Sequence, residues 1–148
     1  MENPSEVRER ILADHVILRR MLERVEVRAR RVLQRRGRRS SGLYDELQAL
    51  EERLRRHFEL EERILVPSLR AADAWGPERV AQFHEEHARQ REIMDGFARW
   101  GERPSIELAL MVWGFVRLML EDMAEEEKIS LNDRVLRDDP IQPAIETD

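Results

Sequence analysis

The sequence predicts an all-α protein, an antiparallel up-down-up-down bundle of four helices, and three observations carry that prediction. Leu, Glu, Arg and Ala dominate, charged residues make up 39% and aromatics only 5%, a helix-rich vocabulary with no convincing strand. Apolar residues recur at alternating spacings of four and three through four segments, the mark of a helix with one buried face. Glycine and proline fall at the joints: Gly37 to Gly42, Pro67, Gly76-Pro77, and Gly101 to Pro104. A chain of 148 residues needs no second domain. The expected division is a bundle over residues 1–133 and a loosely ordered C-terminal tail over 134–148.

Asn3-Pro4-Ser5-Glu6 opens the first helix, with Asn3 as cap, Pro4 in the first turn and Glu6 three residues after the cap. The helix is expected to reach Gly37, with the stripe Val7, Ile11, His15, Leu18, Leu22, Val25, Ala29 and Val32, so His15 takes a core slot. Its end carries Arg28, Arg30, Arg31, Arg35, Arg36, Arg38 and Arg39, which suit the negative end of a helix dipole. No aromatic residues interleave and the net charge is -5, so these arginines read as a solvated helix end and no nucleic-acid partner is expected.

The second helix, Leu43 to Val66, carries Leu43, Leu47, Leu50, Leu54, His57, Glu61 and Ile64 on one face, and Pro67 is expected to end or kink it. Gly76-Pro77 starts the third, whose stripe includes Val80, Phe83 or His84, His87, Met94 and Phe97, with Gly101 as the stop. Pro104-Ser105 opens the fourth, with the stripe Leu108, Val112, Phe115, Met119, Asp122, Glu126 and Ile129. Laid over the second helix, Asp122 falls where His57 falls and Glu126 where Glu61 falls. Trp113, Phe115, Leu118 and Leu120 make the fourth helix apolar on more than one side, so its outer face is expected to pack against the C-terminal segment or against another subunit in a homodimer.

Several function classes drop out. The chain has no cysteine, which removes disulfides, thiolate metal sites, iron–sulfur clusters and cysteine nucleophiles together. The opening Met-Glu-Asn-Pro lacks a basic segment followed by an apolar run, so a cytoplasmic location is expected. Ile106 to Leu120, the most apolar stretch, is broken by Glu107 and Arg117 and is shorter than the ~20 residues of a membrane span, so no membrane partner is expected. No serine sits in a nucleophile elbow and no glycine-rich phosphate loop occurs. His84-Glu85-Glu86-His87 places its histidines one residue too close for H-E-x-x-H.

What remains is a set of buried polar positions. His57 and Glu61 occupy consecutive core slots, and an unpaired carboxylate there costs several kcal/mol, so something must neutralise the pair. Antiparallel helices with short loops bring His15, His57, Glu61, His87, Asp122 and Glu126 to a similar level, with His84 nearby. Bundles build di-metal sites in this way, with carboxylates bridging and histidines capping. Imidazole and carboxylate donors suit non-haem iron best, and manganese and zinc also fit. All four histidines lie on or beside the stripes.

At these residues the chain resembles the hemerythrin-like, or HHE cation-binding, domain family. His15 in DHVILRRML, His57 and Glu61 in HFELEERILVP, and His87 in HEEHARQ match its pattern over about residues 5 to 130. The resemblance implies a four-helix bundle with a non-haem di-iron centre, acting in oxygen binding, sensing, or iron and redox chemistry. One iron would be held by His15 and His57, with bridges from Glu61 and Glu126, and the other by His87, Asp122 and His84. Glu62 or Glu127 is a further candidate ligand. Two departures stand out: Asp122 replaces the fourth-helix histidine, and His84 and His87 are three apart where hemerythrins have two histidines four apart, Phe83 holding that position.

The expected role is non-enzymatic, with dioxygen or a related small ligand at the metal. Two alternatives stay open: a carboxylate-rich di-iron oxidase or peroxidase, and a bundle whose site has decayed into an interaction module. Carboxylate in place of imidazole favours ferric iron, so a reversible oxygen carrier is not expected.

Overall fold

Each of the four apolar stripes winds into a long helix, and one short helical turn is added between the last two. The computed structural model describes residues 2–35 and 42–139. Among them, α1 spans Pro4–Gln34, α2 Leu43–Ala72, α3 Gly76–Asp95, α4 Phe97–Trp100 and α5 Ser105–Ile129. α1 packs against α2 and α5, and α2 against α3. Phe97 of α4 meets Phe115 of α5 edge-on, with ring centroids 4.9 Å apart, and closes the up-down bundle. No helix among the described residues is long and apolar enough to cross a membrane.

At the start of α1 the Glu6 carboxylate accepts the backbone N–H of Asn3 at 3.3 Å, one half of a capping box. Every position of the predicted α1 stripe is buried. The expected stop at Gly37, together with Arg36, Arg38, Arg39 and most of the first loop, lies outside the described residues. Gly42, at φ 99, supplies the left-handed backbone from which α2 departs.

Pro67 does not end α2, which continues to Ala72. The proline removes one backbone hydrogen bond, at a cost of ~3 kcal/mol. Leu65, Val66 and Leu69 on either side are buried with Val7, Ile11, Val80 and Phe83. Burial at roughly 1.5–3 kcal/mol per side chain outweighs the lost bond. Gly76 then turns the chain into α3 at close quarters, because a Cβ there would collide with the backbone carbonyls of Leu69 and Arg70.

The buried face drifts along α2 and α5. Past Glu61 it moves to Leu65 while Ile64 is only half-buried, and in α5 Val116 and Met123 are buried while Ile129 is 46% exposed. A helix of 3.6 residues per turn rotates by ~20° per heptad against a 3.5-residue repeat, so the extrapolated stripe leaves the core. Much of the extra apolar surface of α5 serves this chain's own core. Trp113 and Leu120 pack onto it, and Trp113 Nε1 donates to Glu26 Oε1 at 3.0 Å. Ile106 and Leu110 stay exposed.

The chain does not leave the bundle at residue 133. Leu131 and Leu136 are buried against the ends of α1 and α2. The Ser5 hydroxyl donates to Asp138 Oδ2 at 2.6 Å and the Ser5 backbone N–H to Oδ1 at 3.0 Å. A leucine side chain gains by covering the exposed apolar ends of two helices, which the periodicity of single helices does not register. The rest of the expected tail, from Pro140, lies outside the described residues.

The apolar core divides into two clusters. On α1 the division falls between Ile11 and Leu18, on α2 between Leu65 and Phe58, on α3 between Phe83 and Met94, and at the end of the chain between Met123 of α5 and Leu131 just beyond it. His15, Glu61, His87 and Glu126 sit at those divisions, so a polar layer crosses the bundle between two apolar halves.

Candidate metal centre

Glu61 is the middle of that layer, and its exposure is 0%. It lies one helical turn beyond His57 on α2, so both side chains project inward from one face. Three imidazoles converge on it. His57 Nε2 is 2.8 Å and His15 Nε2 3.3 Å from Glu61 Oε1. His87 Nε2 is 2.9 Å from the other oxygen, Oε2. Glu126 joins from α5, with Oε1 3.7 Å from His15 Nε2.

Two overlapping groups of donor atoms result, His15–His57–Glu61 and Glu61–His87–Glu126, and the atoms of each lie within 4.8 Å of one another. Glu61 belongs to both. Donors bound at about 2.1 Å around one small cation stand roughly 3 Å apart, close to the 2.8, 3.3 and 2.9 Å that separate the Glu61 oxygens from the three imidazoles. Two buried polar atoms of the layer, Glu126 Oε1 and His15 Nδ1, have no hydrogen-bond partner. Native structures rarely leave such atoms unsatisfied, and a cation beside Glu126 Oε1 would satisfy it. The donors present therefore fit a metal.

The charges of the layer are unequal. Burial pushes Glu61 up, but the charge of His57 and the hydrogen bonds of three imidazoles outweigh it and hold the carboxyl well below its usual range. Glu126 is pushed well above that range by burial and by the neighbouring charge of Glu61. His57 loses by burial, yet the charge of Glu61 and its bond to Asp14 raise it to about 9.

The far nitrogens of the histidines also meet carboxylates. His57 Nδ1 donates to Asp14 Oδ2 at 2.6 Å, and His87 Nδ1 to Glu62 Oε1 at 3.2 Å. His15 Nδ1 is 3.6 Å from Glu127 Oε1. Such partners leave Nε2 free to face a metal. Burial would raise Asp14, but hydrogen bonds from His57 and Arg53 bring it down to about 2. Glu62 and Glu127, either of which was a candidate for one additional ligand, stand behind the rings.

Beside the second group is a chamber of about 10 Å³, space for one water-sized molecule. Leu54, Phe58, Met119 and Met123 form its apolar wall, and Glu86, Gln90 and Asp122 its polar one. Glu86 and Glu126 also line a cleft of about 140 Å³ between α3 and α5.

Of the residues expected from sequence, His15, His57, Glu61, His87 and Glu126 come together. Asp122 lies in the chamber wall outside both tight groups, where Gln90 Nε2 donates to its Oδ2 at 2.8 Å. His84 does not join them. It is exposed, with its ring against Phe83 at 5.9 Å between centroids. At 100° per residue, Phe83, Gln90 and Met94 all fall to one side of His87, and His84 falls about 60° to the other. Gln90 was readable, since it fills the gap in the α3 stripe between His87 and Met94. Asp14 was not, because it lies beside the α1 stripe and meets His57 only across helices.

The sequence model of the Hemerythrin HHE cation binding domain matches residues 7–131. No curated protein and no solved structure matches the chain. The matched stretch runs from the first turns of α1 to just past α5 and contains every group of the polar layer, and the chain belongs to the hemerythrin HHE cation-binding domain family.

Proposed function

We propose that the polar layer holds two non-haem iron ions and that the protein is a sensor or binding protein for oxygen, redox state or iron. One observation carries this reading: fully buried Glu61 presents one oxygen to the Nε2 atoms of His15 and His57 and the other to Nε2 of His87. His15, His57, Glu61 and Glu126 would hold one ion, and Glu61, His87 and Glu126, with Asp122 beside them, the other. Iron bound there supplies one-electron chemistry and an open position for dioxygen or a related small ligand.

The chain's own residues shape that chemistry. Glu126 gives up its proton when a cation arrives, because the charge that now opposes its ionisation is then compensated. Leu54, Phe58, Met119 and Met123 keep bulk water from the chamber. Its volume of about 10 Å³ suits a ligand of very few atoms, and the cleft of about 140 Å³ lined by Glu86 and Glu126 lies alongside it. Asp122 adds negative charge next to the second group and stabilises the ferric state, so air oxidation should be quick and oxygen carriage poor.

Metal analysis of freshly purified protein, with its ultraviolet–visible spectrum before and after dithionite, tests the proposal. Near two irons per chain and an oxo-bridge absorption that bleaches on reduction are expected. Little metal, even after anaerobic loading with ferrous iron, would overturn it.

A further inference from the structure

Three arginines that are not candidate ligands share one arrangement. His15 and Arg19 stand four residues apart on α1, Arg53 and His57 four apart on α2, and His87 and Arg91 four apart on α3. Spacing of four puts each pair on one side of its helix, one turn apart. Into each gap a neighbouring helix inserts a carboxylate. Asp14 of α1 accepts from His57 Nδ1 at 2.6 Å and is paired with Arg53, whose Nη1 is 3.3 Å from Oδ2. Glu62 of α2 accepts from His87 Nδ1 at 3.2 Å and from Arg91 Nη1 at 2.5 Å. Glu127 of α5 takes both terminal nitrogens of Arg19, at 2.5 and 2.8 Å, and faces His15 Nδ1 at 3.6 Å.

The arrangement recurs at all three histidines of the polar layer and at no other: His84, exposed on α3, has no carboxylate partner among the described residues. Its chemistry is directional. A carboxylate only accepts, so the nitrogen that faces it, Nδ1, is the one that keeps its proton when the ring turns an Nε2 lone pair to a metal. The guanidinium stops the carboxylate from turning away or swinging in as a ligand. The arginine side chains are 33%, 25% and 34% exposed, and ion pairs so close to solvent add little stability of their own.

We propose that Arg19, Arg53 and Arg91 are positioning residues of the metal centre, each clamping a carboxylate of the adjacent helix behind a histidine so that Nε2 stays aimed at the metal. The proposal rests on the reading that His15, His57 and His87 bind metal through Nε2.

The test uses the single variants Arg19→Gln, Arg53→Gln and Arg91→Gln, the lysine variant at each site, and Arg56→Gln as control. Arg56 forms a solvent-exposed pair with Glu52 and has no polar contact with the layer. Zinc, which is diamagnetic, is the probe, with affinity measured by chelator competition and ring Nδ1–H exchange by nuclear magnetic resonance. Each glutamine variant should bind zinc roughly ten-fold more weakly, the lower end of what loss of a supporting partner costs. In each, Nδ1–H exchange should quicken at the one histidine whose clamp was cut, and lysine should recover part of both losses. Affinities and exchange rates no different from Arg56→Gln would overturn the proposal. If the unaltered protein takes up no zinc or iron, the metal-centre reading fails, and ring exchange in the metal-free protein still decides whether the clamps hold the rings.

Discussion

Glu61 and Glu126 are two carboxylates of one layer with opposite proton affinities, and the difference follows from their neighbours. Glu61 has three imidazoles around it, whereas Glu126 has Glu61. The metal-free protein is therefore pH-sensitive in a definite direction. His57 binds its proton more tightly in the fold than at its ordinary value of 6.5, so its contribution is complete below that pH and disappears as pH rises through about 9. Glu126, also raised, acts in the same sense. Asp14 acts oppositely: its contribution is present above pH 3.8 and is lost as pH falls towards about 2. Urea denaturation of the metal-free protein should show it less stable at pH 9.5 than at pH 6, by ~3 kcal/mol if the full His57 shift is expressed. Equal stability at the two values would contradict this account. Metal uptake must displace protons from His57 and Glu126, so calorimetry in buffers of different ionisation enthalpy should register proton release.

At the scale of the elements, the level of each helix matters more than its length. Gly76 lets α3 start in contact with the carbonyls that end α2, and this sets how far along α2 His87 comes to lie. Gly76→Ala forces the two helices apart at that point. The variant should lose about 2 kcal/mol in denaturant unfolding, as overpacked sites do, and bind metal more weakly because His87 shifts against Glu61. An unchanged midpoint would mean that the turn yields without moving α3. Pro67 shows the converse: a residue that breaks helices locally is carried through because Leu65, Val66 and Leu69 are buried around it.

For the whole molecule, the layer of histidine and glutamate interrupts what would otherwise be one apolar core. Burying these groups costs stability unless they are neutralised, and a cation shared by several helices does that more completely than protons. Ferrous iron, added anaerobically at a hundred times its dissociation constant, should stabilise the fold by about 3 kcal/mol and raise the melting temperature. The smaller apolar cluster depends on the segment after α5. Leu136→Ala, at a site only 2% exposed, should cost about 3 kcal/mol in chemical denaturation. A cost near zero would show that the segment adds nothing to the cluster.

The four long helices and the face of each that carries His15, His57, Glu61, His87 and Glu126 were determined by sequence alone, whereas the joint expected at Pro67 was not one, since α2 runs on to Ala72. Periodicity is a property of one helix at a time, and the resemblance rested on the same residues. Tertiary structure alone decided how those faces met. It put His84 outside and Gln90 inside, set Asp14, Glu62 and Glu127 behind the rings, held Asp122 in the chamber wall and folded Leu136 onto the bundle. The physical reason is that contacts between helices depend on the axial level and rotation of each against its neighbours. Those are settled by the summed packing of the whole core, which no single stripe contains.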